Sequence, residues 1–96
     1  MDLVITYDVN TTTPAGQRRL RDVARICEGY GYRVQQSVFE VVCRDTDKVR
    51  LMAALAATID PAHDSVRIYR LPSAALDNVE HLGKPRSRAP RDPLIL

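Results

Sequence analysis

The apolar positions of this chain change period several times, and each change marks an element. Leu3 to Tyr7 is continuously apolar or β-favouring until Asp8-Val9-Asn10 interrupts it, which predicts a first strand ending at Asp8. Thr11-Thr12-Thr13-Pro14 follows; Thr13 as N-cap and Pro14 in the first helical position open a helix. Leu20, Val23, Ala24, Cys27 and Tyr30 then recur on one helical face, and Gly29 and Gly31 supply the stop. Arg33 to Cys43 has no helical period. Its Val34, Val38, Phe39, Val41 and Val42 flank a polar Gln35-Gln36-Ser37, so two short strands joined by a tight turn or bulge are expected. Asp45 is the expected N-cap of a second helix, with Val49, Met52, Leu55, Ala56 and Ile59 facing the core and Asp60-Pro61 ending it. Ser65 to Leu71 alternates again as a fourth strand, which Pro72 closes.

Strand–helix–strand–strand–helix–strand is the order of an α+β, ferredoxin-like βαββαβ sandwich. Right-handed crossovers place both helices on one face of its sheet, with the first and third strands central. Those two strands are apolar on both faces. Leu3, Ile5 and Tyr7 alternate with Val4 and Thr6, and Phe39 and Val41 alternate with Val38 and Val42. A sheet with one wet face would alternate apolar with polar, so the helix-free face is expected to pack on a second copy of itself. The domain is expected over 1–82, with a short extra strand at Asn78 to Leu82 extending its own sheet or a partner's. A basic tail over 83–96 carries Lys84, Arg86, Arg88 and Arg91, broken by Pro85 and Pro90, and ends in the apolar hook Pro93-Leu94-Ile95-Leu96.

Ninety-six residues suit one small domain, for which self-association compensates a modest buried surface. The net charge of +2 is bland, yet all of the 14 basic residues except Lys48 and Lys84 are arginine, whose planar fork matches phosphate. Arg18, Arg21 and Arg25 cluster opposite the apolar face of the first helix, with Arg19 nearer its edge. That ridge is either a solvated face or a phosphate contact, and Arg33, Arg67, Arg70 and the tail arginines favour the second. Sparse aromatic residues disfavour a base-stacking platform for single strands. No apolar run approaches the ~18 residues of a membrane span, and a strand beginning at Asp2 leaves no room for a signal peptide. A cytoplasmic protein without membrane attachment is expected.

Cys27 and Cys43 form no Cys-x-x-Cys pair and read as buried thiols; His63 and His81 stand alone. Zinc-ligand spacing, glycine-rich phosphate loops and Ser/His/Asp motifs are missing, which removes several enzyme classes. Asp8 is the residue with most chemical promise. It closes a central strand, where it either caps the turn with Asn10 and Thr11 or, paired with its copy in a two-fold dimer, shares a magnesium ion. Such an ion polarises a phosphodiester and lowers the pKa of water.

Three segments then carry a family resemblance: Tyr7-Asp8-Val9, Arg33-Val34-Gln35-Gln36-Ser37-Val38-Phe39-Glu40, and Ile59-Asp60-Pro61 through Asp64-Ser65-Val66-Arg67-Ile68-Tyr69. Together they resemble the CRISPR-associated protein two family over nearly the whole chain. The ending Val79-Glu80-His81-Leu82-Gly83 with Pro93-Leu94-Ile95-Leu96 is similar to its subtype I-C branch. The resemblance implies a homodimer with sheets face to face and a divalent cation, Mg2+, at Asp8. It also implies a scaffold and ruler for spacer DNA, partnered with the integrase, CRISPR-associated protein one. Some members of the family are magnesium-dependent endonucleases on RNA or DNA. Carried over by motif, the catalytic residues are Asp8 and Tyr7, the nucleic-acid contacts include Arg18, Arg19 and Arg33, and Ser37 and Phe39 support the dimer or its site. Gln17, where many relatives carry a basic residue, and Gly31-Tyr32 before Arg33 depart from the pattern.

Overall fold

In a computed structural model that describes residues 1–84, four strands and two helices follow the expected order. Strand β1 (Asp2–Asp8) leads to helix α1 (Pro14–Glu28), β2 (Gly31–Gln35), β3 (Val38–Val42), α2 (Asp45–Thr58) and β4 (Ser65–Leu71). The sheet is antiparallel throughout, in the order β2-β3-β1-β4, so β1 and β3 are central. Gln36 and Ser37 turn the chain between β2 and β3, and the pairing shifts register between Arg33 and Gln35; the turn and the bulge are both present.

Helix α1 begins as its sequence dictates. Thr13 Oγ1 accepts a hydrogen bond from the Gly16 amide at 3.0 Å, and Pro14 occupies the first turn. Gly16 has a packing role: a Cβ there would run into the Asn10 carbonyl, so the glycine lets the helix start close against the end of β1. At the other end Gly29 is right-handed (φ −71°, ψ −14°), so the stop needs no left-handed glycine. Gly31 serves β2 instead, because a Cβ at that position would strike the Glu40 carbonyl of β3.

The register separates the two faces of the sheet. On the helix side Arg33, Phe39, Ile5 and Ile68 lie in one row and Gly31, Val41, Leu3 and Arg70 in the next. Leu3, Ile5, Tyr7, Phe39 and Val41 join Val23, Ala24, Cys27, Leu51 and Leu55 in the buried core. On the other side run Tyr32, Glu40, Val4 and Tyr69, then Val38, Thr6 and Arg67, then Val42, Asp2 and Leu71. This face is less apolar than the alternation suggested: Tyr32 Oη donates to Glu40 Oε1 at 2.8 Å, and the Arg67 guanidinium lies 5.2 Å from the centre of the Tyr69 ring. Its Val42 is nonetheless 50% exposed.

Three expectations need correction. The N-cap of α2 is Arg44, not Asp45; the Asp47 carboxylate reaches back to the Arg44 amide at 3.2 Å, while Asp45 and Asp47 place negative charge in the first turn. The buried face of α2 is Leu51 and Leu55, whereas Val49 is 69% exposed and Met52 and Ala56 are exposed too. This helix carries apolar residues all round, so its periodicity specified no face, and packing against α1 chose the side with the two leucines. Finally, the segment at 78–82 adds no strand to the chain's own sheet. Pro72 ends β4, the buried Asp2 carboxylate accepts a hydrogen bond from the Leu76 amide at 2.8 Å, and the chain winds into a 3-10 turn over Ala75–Asn78. A strand exists by the ladder it joins, and residues 79–84 meet none within the described chain. The expected tail lies outside the described residues from Pro85 onward.

Because Leu51 is fully buried and Val49 is not, Leu51→Ala should lower stability by about 2–5 kcal/mol in urea unfolding. Val49→Ala should change it by less than about 0.5 kcal/mol. Equal losses at the two positions would restore the face predicted from periodicity.

Candidate functional site at the end of the central strand

Asp8 ends β1 as an exposed carboxylate, held in the ladder opposite Ser65 of β4. On the other side of β1 the Tyr7 amide donates to the Ser37 carbonyl at 3.1 Å. The β2–β3 turn, the end of β1 and the start of β4 therefore meet at one end of the sheet. Ser37 contributes its backbone there.

Beneath Asp8 lies a group that the sequence reading did not single out. The Asp64 side chain is 0% exposed. Its Oδ1 accepts from the Asn10 amide at 3.0 Å and from Arg19 Nη2 at 3.3 Å. Its Oδ2 accepts from Arg19 Nε at 2.7 Å and from the Asp60 amide at 2.8 Å. The two-pronged Arg19 contact and the backbone donors outweigh desolvation and hold the Asp64 carboxyl far below the usual carboxylate range. Arg19 is thus placed in an ion pair, set apart from Arg18, Arg21 and Arg25, which are exposed on the outer side of α1. Arg25 also contacts Asp22 at 3.3 Å. The one available signal for Asp64 was topological: antiparallel pairing of β1 with β4 must bring Asp60–Asp64 beside Asp8–Asn10.

Tyr7 and Phe39, two of the carried-over residues, belong to the core. Their rings are 6.1 Å apart and stacked, and both are buried. Burial raises the Tyr7 phenol above its ordinary value, against the lowering effects of the Arg33 charge and hydrogen bond. Arg33 shares the helix side of the sheet with them; its guanidinium lies 5.2 Å from the Phe39 ring centre and 3.6 Å from Glu28 Oε1. The site residues thus divide into an exposed acid at the strand end, an exposed arginine ridge on α1, and a Tyr7–Phe39–Arg33 stack below the sheet. Cys27, pushed up to about 11 by burial, is no thiolate nucleophile. His63 lies in the α2–β4 loop with Nδ1 2.9 Å from Asp60 Oδ2, and that contact, with the Ala62 amide, lowers the Asp60 carboxyl.

No cluster of three or more acidic, His or Cys side chains gathers to hold a metal among the described residues. Asp8 fits magnesium in a different way, since this ion takes one or two carboxylates and completes its octahedron with water and phosphate oxygens. Asp64 does not fit, its two oxygens being committed to four donors. Among the described residues no helix is long and apolar enough to cross a membrane.

Fold and site together define a ferredoxin-like sandwich that presents one acid at the end of a central strand. The family model for CRISPR associated protein Cas2 matches residues 1–79, and this chain belongs to that family. It is 49% identical over 94 residues to "CRISPR-associated endoribonuclease Cas2 3" of Rhodospirillum rubrum, covering 98% of this chain and 99% of the relative. It is 46% identical to "CRISPR-associated endonuclease Cas2" of Halalkalibacterium halodurans, with 99% of each covered. Among solved structures, Cas2 of Streptococcus pyogenes superposes with a TM-score of 0.76 at 47% identity, over 86% of this chain and 100% of that one.

The Asp64 carboxyl ionises at lower pH in the folded chain than in the unfolded one, where it takes its ordinary value near 3.8. Its stabilising contribution is therefore complete at neutral pH and fades as pH falls below about 4 toward the folded-state value. Urea midpoints measured from pH 7 to pH 2.5 should fall on the acid side. Asp64→Asn should flatten that fall and lower the midpoint at pH 7; an unchanged acid limb would assign it to other carboxyls, Asp47 and Asp60 first.

Proposed function

We propose that the chain works in the cytoplasm as a homodimeric, nucleic-acid-binding scaffold that captures spacer DNA and, with the CRISPR integrase (CRISPR-associated protein one), inserts it. The observation that carries this reading is the opposition of two surfaces. The sheet leaves Val4, Val38, Val42 and Tyr69 on its helix-free side, while Arg18, Arg21 and Arg25 stand on the far side of the helix layer. A second copy docked on the sheet covers the apolar rows and leaves both arginine ridges facing outward. Phosphate contact through such ridges reads duplex shape and charge without base chemistry.

A second reading is favoured by the relatives named endoribonuclease and endonuclease. Here Asp8 of each protomer holds a shared Mg2+ ion, which supplies polarisation of a phosphodiester and a more acidic water when bound. The arginines hold the phosphates on either side of the cleaved bond, and RNA or DNA is the substrate. Tyr7, stacked in the core, supports the strand that carries Asp8 and hands no proton to substrate.

Spacer integration by the integrase with wild type or Asp8→Asn separates the two. As a scaffold, Asp8→Asn integrates at the wild-type level while any magnesium-dependent cleavage disappears. Loss of integration in a variant that still dimerises and binds duplex makes the Asp8 chemistry essential. Arg18→Gln and Arg21→Gln should each flatten the salt dependence of duplex affinity, reducing the log–log slope by about 0.9 for each protomer whose ridge engages the duplex. Val42→Glu should give monomers at micromolar concentration in sedimentation velocity; a persistent dimer would place the interface elsewhere.

A further inference from the structure

We propose that Asp64 and Arg19 are positioning residues for Asp8, and that Arg19 serves this purpose instead of binding phosphate. The inference rests on the reading of Asp8 as a ligand of a divalent cation and adds the residues that set where its carboxylate stands.

Asp8 is bracketed by two fixed points. Within the ladder it pairs with Ser65, the residue that directly follows Asp64. Two residues on, the Asn10 amide donates to Asp64 Oδ1 at 3.0 Å, and Val9 between them is buried. The backbone on either side of the Asp8 side chain is therefore tied to the same short segment, 64–65. That segment is itself anchored. Arg19 Nε and Nη2 grip both Asp64 oxygens at 2.7 and 3.3 Å, and the Asp60 amide adds a donor at 2.8 Å. Helix α1, the loop before β4 and the end of β1 thus meet on one solvent-free carboxylate.

The arrangement has a directional consequence. Asp64 has no oxygen to offer an ion, so its influence passes through Asn10 and Ser65 to Asp8. Magnesium requires near-ideal octahedral geometry, and a chain that offers one carboxylate has no second ligand to absorb a displacement. Groups behind a metal ligand commonly govern affinity by 10–100-fold. Arg19 gives its Nε and Nη2 donors to the buried acid, and its side chain is only 22% exposed. Its charge is already balanced inside the fold, which sets it apart from the exposed Arg18 and Arg21 as a phosphate contact.

The test uses the full-length protein and Mn2+ as a spectroscopic stand-in for magnesium, titrated by electron paramagnetic resonance. Asp8→Asn should abolish the site. Asp64→Asn and Arg19→Gln should weaken Mn2+ by about tenfold or more in protein that circular dichroism shows to be folded, with Arg19→Lys recovering part of the loss. Amide exchange at Asn10 should accelerate in the same variants. Wild-type Mn2+ affinity in folded Asp64→Asn or Arg19→Gln overturns the positioning role. Where Asp64→Asn does not fold, the paired Arg19→Gln and Arg19→Lys titrations decide. Mn2+ affinity that survives Asp8→Asn overturns the metal-ligand reading of Asp8, a separate result. For Arg19 itself, the salt slope of duplex binding should be the same in Arg19→Gln as in wild type; a fall equal to that of Arg21→Gln, about 0.9 per engaged protomer, returns it to the phosphate contacts.

Discussion

A carboxylate sealed from water must find its compensation inside the protein, and at Asp64 that demand joins three parts of the chain. Stripped of its donors, such a charge is costly enough that the fold would give way around it or the group would take up a proton. Arg19 answers from helix α1, Asn10 from the exit of β1, and Asp60 from the loop that feeds β4. Helix α1 approaches closely enough because Gly16 leaves room at the Asn10 carbonyl. The exposed Asp8 stands on the strand end that this network steadies.

The same sheet has unequal faces, and the inequality organises the rest. Phe39, Ile5 and Leu3 draw both helices to one side and leave the α1 arginines outermost. The opposite rows mix Val4, Val38 and Val42 with the Tyr32–Glu40 and Arg67–Tyr69 contacts. Polar pairs of this kind keep a face compatible with water while giving a second copy specific groups to register against, which suits the proposed dimer. The arginine ridge and the helix-free face then occupy opposite surfaces, with the acid at the strand end between them, so the ridge can be altered without dismantling the sheet face.

Much of this was legible in the residues. The Thr13-Pro14 helix start and the polar interruption at Gln35-Gln36-Ser37 are local patterns, and each is where it was expected. Asp8 at a strand end follows from the same reading, and the Tyr7-Asp8 and Arg33–Glu40 segments pointed to the family that the comparisons then showed. What failed had identifiable causes. Helix α2 is apolar on every side, so no period could tell Leu51 and Leu55 from Val49 and Met52. The segment Asn78–Leu82 has strand-like residues but meets no strand of its own sheet, because the chain leading to it is held in a turn at Leu76 by the Asp2 carboxylate, 74 positions earlier.

Local sequence alone therefore determined the four strands, the two helices and their order, because breakers and periodicity act over a few positions. It also determined which side chains could carry charge-based chemistry. Only the tertiary structure decided which of those charges remain available. Arg18, Arg19, Arg21 and Arg25 look alike along a helix, yet one of them meets a buried acid 45 residues away and the others face solvent. That division depends on the antiparallel pairing of β1 with β4, a non-local contact that no window of sequence contains.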